Sequence, residues 1–261
     1  MSYGTAPGLG APLPALAGNL LTELRQSPRR IHVITNAAAQ ALTANLLLAV
    51  GAIPSLTVSP EEAPAFTARS AGLVINLGTL DSERRASIPW SIATARQQHL
   101  PWVLDPVFVE SSPQRLELAR LCLAGTPAVL RCNAAEFSAL AVTEASPEAA
   151  RAFAQDHGTV VAMTGPTDLV TDGARAIRIA NGDVLMTRVT AIGCAGTALI
   201  AAFAALHPDA FEAAAAALLT VGIAGEIAAA KADGPGTFQA AVLDALYNVR
   251  PPDILERARL A

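Results

Sequence analysis

The chain has 261 residues, 52% of them hydrophobic, a formal net charge of −4 and three cysteines. This length sustains a full α/β core, and an acidic balance without a basic stripe excludes nucleic acid as the main partner. No run approaches the about 20 uninterrupted apolar residues of a membrane span, and Cys122, Cys132 and Cys194 fit neither a disulfide framework nor a zinc pattern, so a reducing, cytoplasmic setting is expected.

Residues 1–14 are expected to form a flexible arm. Met1 to Thr22 carries no charged side chain, lacks the basic start of a signal peptide and is interrupted by Pro7, Pro12 and Pro14. A first helix is predicted near Leu16–Gln26. Strands and helices then alternate. Arg30–Ile34 is a short β-branched strand, followed by a helix through Thr43–Val50 and a strand over Ala52–Val58. Ser59-Pro60-Glu61-Glu62 predicts a helix start, with a capping Ser and Pro at the first helical position. Gly72–Asn76 is a continuous apolar strand, a helix covers about Glu83–Gln98, and Trp102–Leu104 is a strand ending in Asp105-Pro106. Ser112-Pro113 opens another helix, Ala128–Arg131 is a strand leading to Asn133, and Ser146-Pro147-Glu148 starts a helix stopped at His157-Gly158. Thr159–Met163 is a strand, and Asp168–Thr171 with Ala176–Ala180 form a hairpin about Asp172-Gly173. From Leu199 onward the chain reads as helical, with Asp209 and Glu212 as a further capping pair. Repeated strand–helix units predict an α/β fold of one domain, 1–261, whose mostly parallel sheet is covered by helices on both faces. The apolar surplus points to an oligomer that buries some of it between subunits.

Polar residues cluster just past predicted strand ends: Asn36, Gly78-Thr79, Asp105, Arg131-Cys132-Asn133 and Thr164-Gly165. In open α/β sheets that edge is where ligands bind. The stretch Thr187–Ala198 passes through a turn of Ala, Gly and Cys into an Ala-rich helix. Its free amides and the helix dipole suit an anion, and the Cys194 sulfur faces whatever binds. Asp105 and Glu136, with Asn133, suit Mg²⁺, although a helix-start charge explains Glu136 equally well. Arg131 ends an apolar strand and needs an anionic partner, which a phosphate or a carboxylate would supply. A covalent cysteine hydrolase is excluded, because Ile192 replaces the first Gly of a nucleophile elbow and no His lies in a comparable loop.

With these residues the chain resembles the hydroxyethylthiazole kinase family of the ribokinase-like superfamily. The resemblance rests on His32-Val33-Ile34-Thr35-Asn36, Thr43-Ala44-Asn45, Leu48–Ala52 and Asn76-Leu77-Gly78-Thr79-Leu80. It continues through Asp105-Pro106-Val107, Arg131–Glu136, Thr164-Gly165, Val170–Gly173, Gly193-Cys194 and Gly234–Phe238, over about Ile31 to Tyr247. It implies a three-layer ribokinase-like fold and phosphorylation of the hydroxyl of 5-(2-hydroxyethyl)-4-methylthiazole, with ATP as donor and Mg²⁺ as cofactor, in thiamine biosynthesis. By the same resemblance, Asp105 and Glu136 organise Mg²⁺, Arg131 and Thr164 contact ATP, and Asn36, Gln40 and Ala191 lie on the thiazole side. Ala191, Ile192 and Gly193 form the anion hole, and Cys194 takes the place of the superfamily's Asp base. A helix start lowers a thiol pKa, so Cys194 is expected to be partly thiolate. The family is trimeric, with pockets between subunits, so a homotrimer is implied. The phosphate end departs from the family pattern at Phe108 and Glu110, at Cys132 and at Ala191, where small residues or Gly are usual. Those departures leave open a weakened or non-catalytic thiazole- or nucleotide-binding homologue, or a kinase of another small alcohol.

Overall fold

Eight strands form the centre of the computed structural model, which describes residues 12–261. In chain order they are β1 (Arg30–Ile34), β2 (Ile53–Ser55), β3 (Gly72–Asn76), β4 (Trp102–Asp105), β5 (Val129–Asn133), β6 (Val160–Thr164), β7 (Asp168–Thr171) and β8 (Ala176–Ile179). The sheet order is β2-β1-β3-β4-β5-β6-β7-β8. Pairings from β2 through β6 are parallel, and the terminal hairpin is antiparallel.

Helices cover both faces, as an apolar parallel sheet requires. One face carries α1 (Leu13–Gln26), α2 (Gln40–Ala49), α8 (Ile192–Ala204), α9 (Ala210–Ala229), α10 (Pro235–Asn248) and α11 (Pro251–Arg257). The other carries α3 (Ala63–Ala68), α4 (Ser82–Gln97), α5 (Pro113–Leu123), α6 (Ala134–Ala141) and α7 (Pro147–His157). By length and composition α9 would pass for a membrane span, yet 83% of its apolar window is buried inside this fold. It is a core helix, wrapped by α1, α8 and α10.

The strand period of two positions the site. Val74, Val103, Val129 and Ala162 all point into the core on the α8–α9 side. Two residues further along the same strands come Asn76, Asp105, Arg131 and Thr164, which therefore face α8 at the C-terminal edge. Register sets Asn76 beside Asp105. Four polar side chains thus converge because four apolar ones do.

Several boundaries differ from expectation. Leu13 and Pro14 belong to α1, where Pro is tolerated in the first turn; residues 1–11 of the expected arm lie outside the described residues. Strand β2 shrinks to Ile53–Ser55, since Pro54 cannot donate to a ladder and sits on the sheet edge. Ser59–Glu62 forms a turn, and α3 starts only at Ala63. The Ser59 hydroxyl donates to the Glu61 carboxylate instead of capping a helix amide. Helix α8 starts at Ile192, earlier than Leu199, so Gly193 and Cys194 lie in its first turn.

Candidate active site

One buried carboxylate anchors the site. Asp105, 0% exposed, ends β4. Its Oδ2 accepts from Asn76 Nδ2 at 2.8 Å and from Thr197 Oγ1 at 3.1 Å. Its Oδ1 has no hydrogen-bond partner among the described residues and lies 3.7 Å from Arg131 Nη1. Burial pushes the Asp105 pKa up, opposed by the Arg131 charge and by the Thr197 and Asn76 hydrogen bonds. Burial likewise works against the Arg131 charge, but Asp105, with smaller contributions from Cys194, Glu136 and Cys132, outweighs it and leaves that pKa raised.

From Asp105 a chain of hydrogen bonds runs to Cys194. Asn76 Oδ1 accepts from Asn36 Nδ2 at 3.0 Å, and Asn36 Nδ2 also reaches the Cys194 Sγ at 3.4 Å. Gln40 is half-buried at the start of α2, four residues beyond Asn36. Burial first, and the Asp105 charge second, push the Cys194 thiol up to about 11. This corrects the expectation of a partly thiolate Cys194: the helix start is outweighed by desolvation and a neighbouring anion.

On the other side of Asp105, α8 begins without a side-chain cap. Ala195 is the first amide of that end to bond within the helix, to the Ala191 carbonyl at 2.8 Å. The amides of Ile192, Gly193 and Cys194 precede it. Ala191 sits at φ 71°, a left-handed conformation costing an L-residue roughly 1–2 kcal/mol. Gly193 admits Arg131: a Cβ there would stand 2.6 Å from Nη2. A guanidinium against a helix N-terminus is doubly cationic, which favours a bound anion between them.

Glu136 caps its own helix. Its Oε2 accepts from Asn133 N at 2.8 Å while its N donates to Asn133 Oδ1 at 2.9 Å. Its Oε1 accepts from Phe108 N at 3.1 Å and so holds the loop after β4. Burial raises its pKa, and the Asn133 amide opposes that rise. Among the described residues no three His, Cys, Asp or Glu side chains gather as a metal cage. Asp105 and Glu136 are therefore a two-carboxylate set, which suits an ion that keeps its waters and binds phosphate oxygens, as Mg²⁺ does. The Asp105 Oδ1, ion-paired to Arg131 but without a hydrogen bond among the described residues, fits that use. The departing residues are also placed: Phe108, 60% exposed, has φ 59°, and Cys132 is a buried core thiol.

Beside Arg131 a cleft of about 610 Å³ opens. Thr164, Gly165 and Asp168, the Asn181–Val184 segment, and Gly193, Gly196 and Gly222 are among the residues that wall it. Asp168 accepts from Gly165 N at 3.0 Å, and burial pushes its carboxyl up to about 6. Asn76, Thr197 and Asp168 are polar members that sequence reasoning assigned no role. Asn76 and Thr197 lay inside quoted segments, and the alternation Val74/Asn76 was their only signal. Asp168 read simply as the first residue of a hairpin strand.

A model of the hydroxyethylthiazole kinase family matches residues 21–251. The chain is 47% identical over 253 residues to a hydroxyethylthiazole kinase of Granulibacter bethesdensis, covering 92% of each chain. It is 44% identical to the one of Roseobacter denitrificans, covering 92% of this chain and 98% of that one. Among solved structures, the hydroxyethylthiazole kinase of Pyrococcus horikoshii superposes with a TM-score of 0.89 at 34% identity, covering 94% and 98% of the two chains. A Staphylococcus aureus pyridoxal kinase, at 15% identity, TM-score 0.62 and coverage of 77% and 89%, shares the ribokinase-like fold alone.

Proposed function

Since the chain belongs to the hydroxyethylthiazole kinase family, we propose that it phosphorylates the hydroxyl of 5-(2-hydroxyethyl)-4-methylthiazole, with ATP as donor, in thiamine salvage. The single observation that carries this reading is the Arg131 guanidinium lying against the first turn of α8 and facing Asp105. That point lies between an open cleft and the Cys194–Asn36 side, where a phosphoryl group in transit would sit.

ATP is assigned to the cleft, with Thr164 and Arg131 on its phosphates and the amides of Ile192 and Gly193 taking the transferred group. Phosphoryl transfer asks for alignment and charge neutralisation more than covalent work. The thiazole is assigned to the side of Asn36, Gln40 and Ala191, its hydroxyl toward Cys194. Cys194, protonated near neutral pH, orients that hydroxyl by accepting its hydrogen bond at Sγ. The hydroxyl proton passes to an oxygen of the transferred phosphoryl group as the O–P bond forms and the bond to the ADP oxygen breaks. Asp105 and Glu136 would hold Mg²⁺, which supplies charge neutralisation on the donor phosphates. Asn76 fixes the Asp105 carboxylate by its 2.8 Å hydrogen bond.

The working unit is taken to be a cytoplasmic homotrimer of single-domain subunits with pockets between them. Leu48, Ile53 and Phe66, on α2, β2 and α3 at one sheet edge, are exposed by 58%, 40% and 37%, which supports burial there against another copy. Light scattering at micromolar concentration reads the assembly directly.

Purified protein with Mg-ATP, with and without hydroxyethylthiazole, tests the activity. Alcohol-dependent ADP release is the expected result. Thermal protection by the thiazole without turnover would make the chain a binding homologue instead. A variant tests the cleft: a Cβ at Gly196, which lines it, would meet the Val221 methyls at an ordinary contact distance of 3.8 Å, so Gly196→Leu should intrude on the cleft and raise the KM for ATP.

A further inference from the structure

The cleft wall formed by Asn181, Gly182 and Asp183 is irregular backbone between β8 and a 3₁₀ turn at Val184–Arg188. Such a segment has little packing of its own and opens at small cost unless something ties it down. What ties it down lies behind the cleft. On α9, Glu226 Oε1 accepts from Asn181 Nδ2 at 3.0 Å, from Gly182 N at 2.9 Å and from Arg259 Nη2 at 2.6 Å. Arg259 comes from the segment after α11, which lies antiparallel on β8. Ala180 N donates to the Arg259 carbonyl at 2.9 Å, and Ile179 bridges to Leu260. Arg259 Nη2 also donates to the Ala180 carbonyl at 2.7 Å, and its own amide donates to Asn181 Oδ1 at 2.7 Å. Underneath, α9 lets the wall come close: a Cβ on Gly222 would stand 2.6 Å from the Asn181 carbonyl oxygen.

Neither Glu226 nor Arg259 lines the cleft. We propose that Glu226 and Arg259 are positioning residues for the donor nucleotide, clamping the Asn181–Asp183 wall from behind at the spacing that grips it. This rests on the assignment of the cleft to ATP. Without the Arg259 side chain the Glu226 carboxylate, 15% exposed, loses its only ion-pair partner among the described residues and the Ala180 carbonyl loses its guanidinium donor. That leaves the wall to Glu226 and to the Arg257 carbonyl and Arg259 amide that bond Asn181. The chain then spends less time closed, and apparent nucleotide affinity falls by that fraction. The acceptor side, at the far end of β1 and β3, is untouched.

The test is steady-state kinetics with both substrates varied, on Arg259→Ala, Glu226→Gln and Arg259→Lys. For Arg259→Ala the expected result is an ATP KM raised about tenfold, with kcat and the alcohol KM within about twofold. Glu226→Gln should give a smaller rise in the ATP KM alone, and Arg259→Lys should recover most of the loss. An unchanged ATP KM in Arg259→Ala overturns the proposal. So does a fall in kcat and melting temperature joined by a rise in both KM values, because that marks a general structural role. Gly196→Leu separates the two readings. If it raises the ATP KM while Arg259→Ala does not, only the clamp is wrong. If it leaves the ATP KM alone, the nucleotide binds elsewhere and the clamp proposal falls with the cleft.

Discussion

The two ends of the site are built on opposite plans. At the acceptor end, Asn36, Asn76, Thr197 and Asp105 hydrogen-bond one another around a carboxylate removed from water. At the donor end the cleft is open and the first amides of α8 are uncapped, while left-handed backbone that favours glycine occurs at Phe108 after β4, at Ala191 on the acceptor side of the α8 start and at Thr79 beside Asn76. At the acceptor end the polar side chains pair with one another, whereas the uncapped amides at the donor end suit an anion. Damage should therefore cost rate at both ends, while relief of left-handed strain or of a buried charge should gain stability.

The sharpest break is Asp105→Asn. It keeps the shape but removes the charge facing Arg131, and kcat should fall about 10³-fold with the fold retained. Near-normal turnover at saturating Mg²⁺, with circular dichroism unchanged, would remove Asp105 from the chemistry. Next is Glu136→Gln, expected to cost about 10²-fold in kcat because the donor end loses a charge while one amide acceptor survives. Raising Mg²⁺ should recover part of that loss, and a loss indifferent to Mg²⁺ would limit Glu136 to capping α6.

Cys194→Ala sharpens the contrast at the acceptor end. With the thiol pushed up to about 11, it is not a standing base at neutral pH. The variant should lose at most about tenfold in kcat, roughly 1.4 kcal/mol of barrier. A loss above 10²-fold, with a kcat–pH limb that disappears in the variant, would restore the base assignment.

Smaller effects read out as stability. Asp168 has its carboxyl raised to about 6, so the folded chain binds its proton more tightly than the unfolded one. Its ionised form thus destabilises the fold fully above pH 6, and this penalty vanishes as pH falls through 6 toward 4. Asp168→Asn keeps the acceptor for Gly165 N and should add about 1–2 kcal/mol at pH 7.5, with the gain fading by pH 4. A pH-independent difference in melting temperature would refute that origin. Smallest is Ala191→Gly. Relief of φ 71°, less the entropy cost of glycine, should add about 0.5–1 kcal/mol and change kcat by less than tenfold. A destabilised variant would mean that the left-handed turn is not a strain on this chain.

Much of the frame was legible from local signals. Strands β1 and β3, helix α7 and the strand pair β7–β8 fall where expected, because their caps, glycines and β-branched runs act within a few residues. The Ser59 cap failed for a local reason too, since Glu61 competed for the hydroxyl. The strand-end positions of Asn36, Asp105, Arg131 and Thr164 followed from the alternation of strand and helix.

What the sequence determined by itself, then, is the order of elements, the edge of the sheet that carries chemistry and the residue types gathered there. Those rest on periodicity and capping, which are properties of neighbouring residues. Only the tertiary structure decided the partners and the charge states. Asn76 reaches Asp105 through strand register, Gly193 matters because Arg131 lies on it, and the Cys194 thiol stays protonated because the fold buries it and, second, sets Asp105, 89 positions away in the chain, beside it. Burial and through-space charge depend on what distant segments bring together, and no local pattern encodes them.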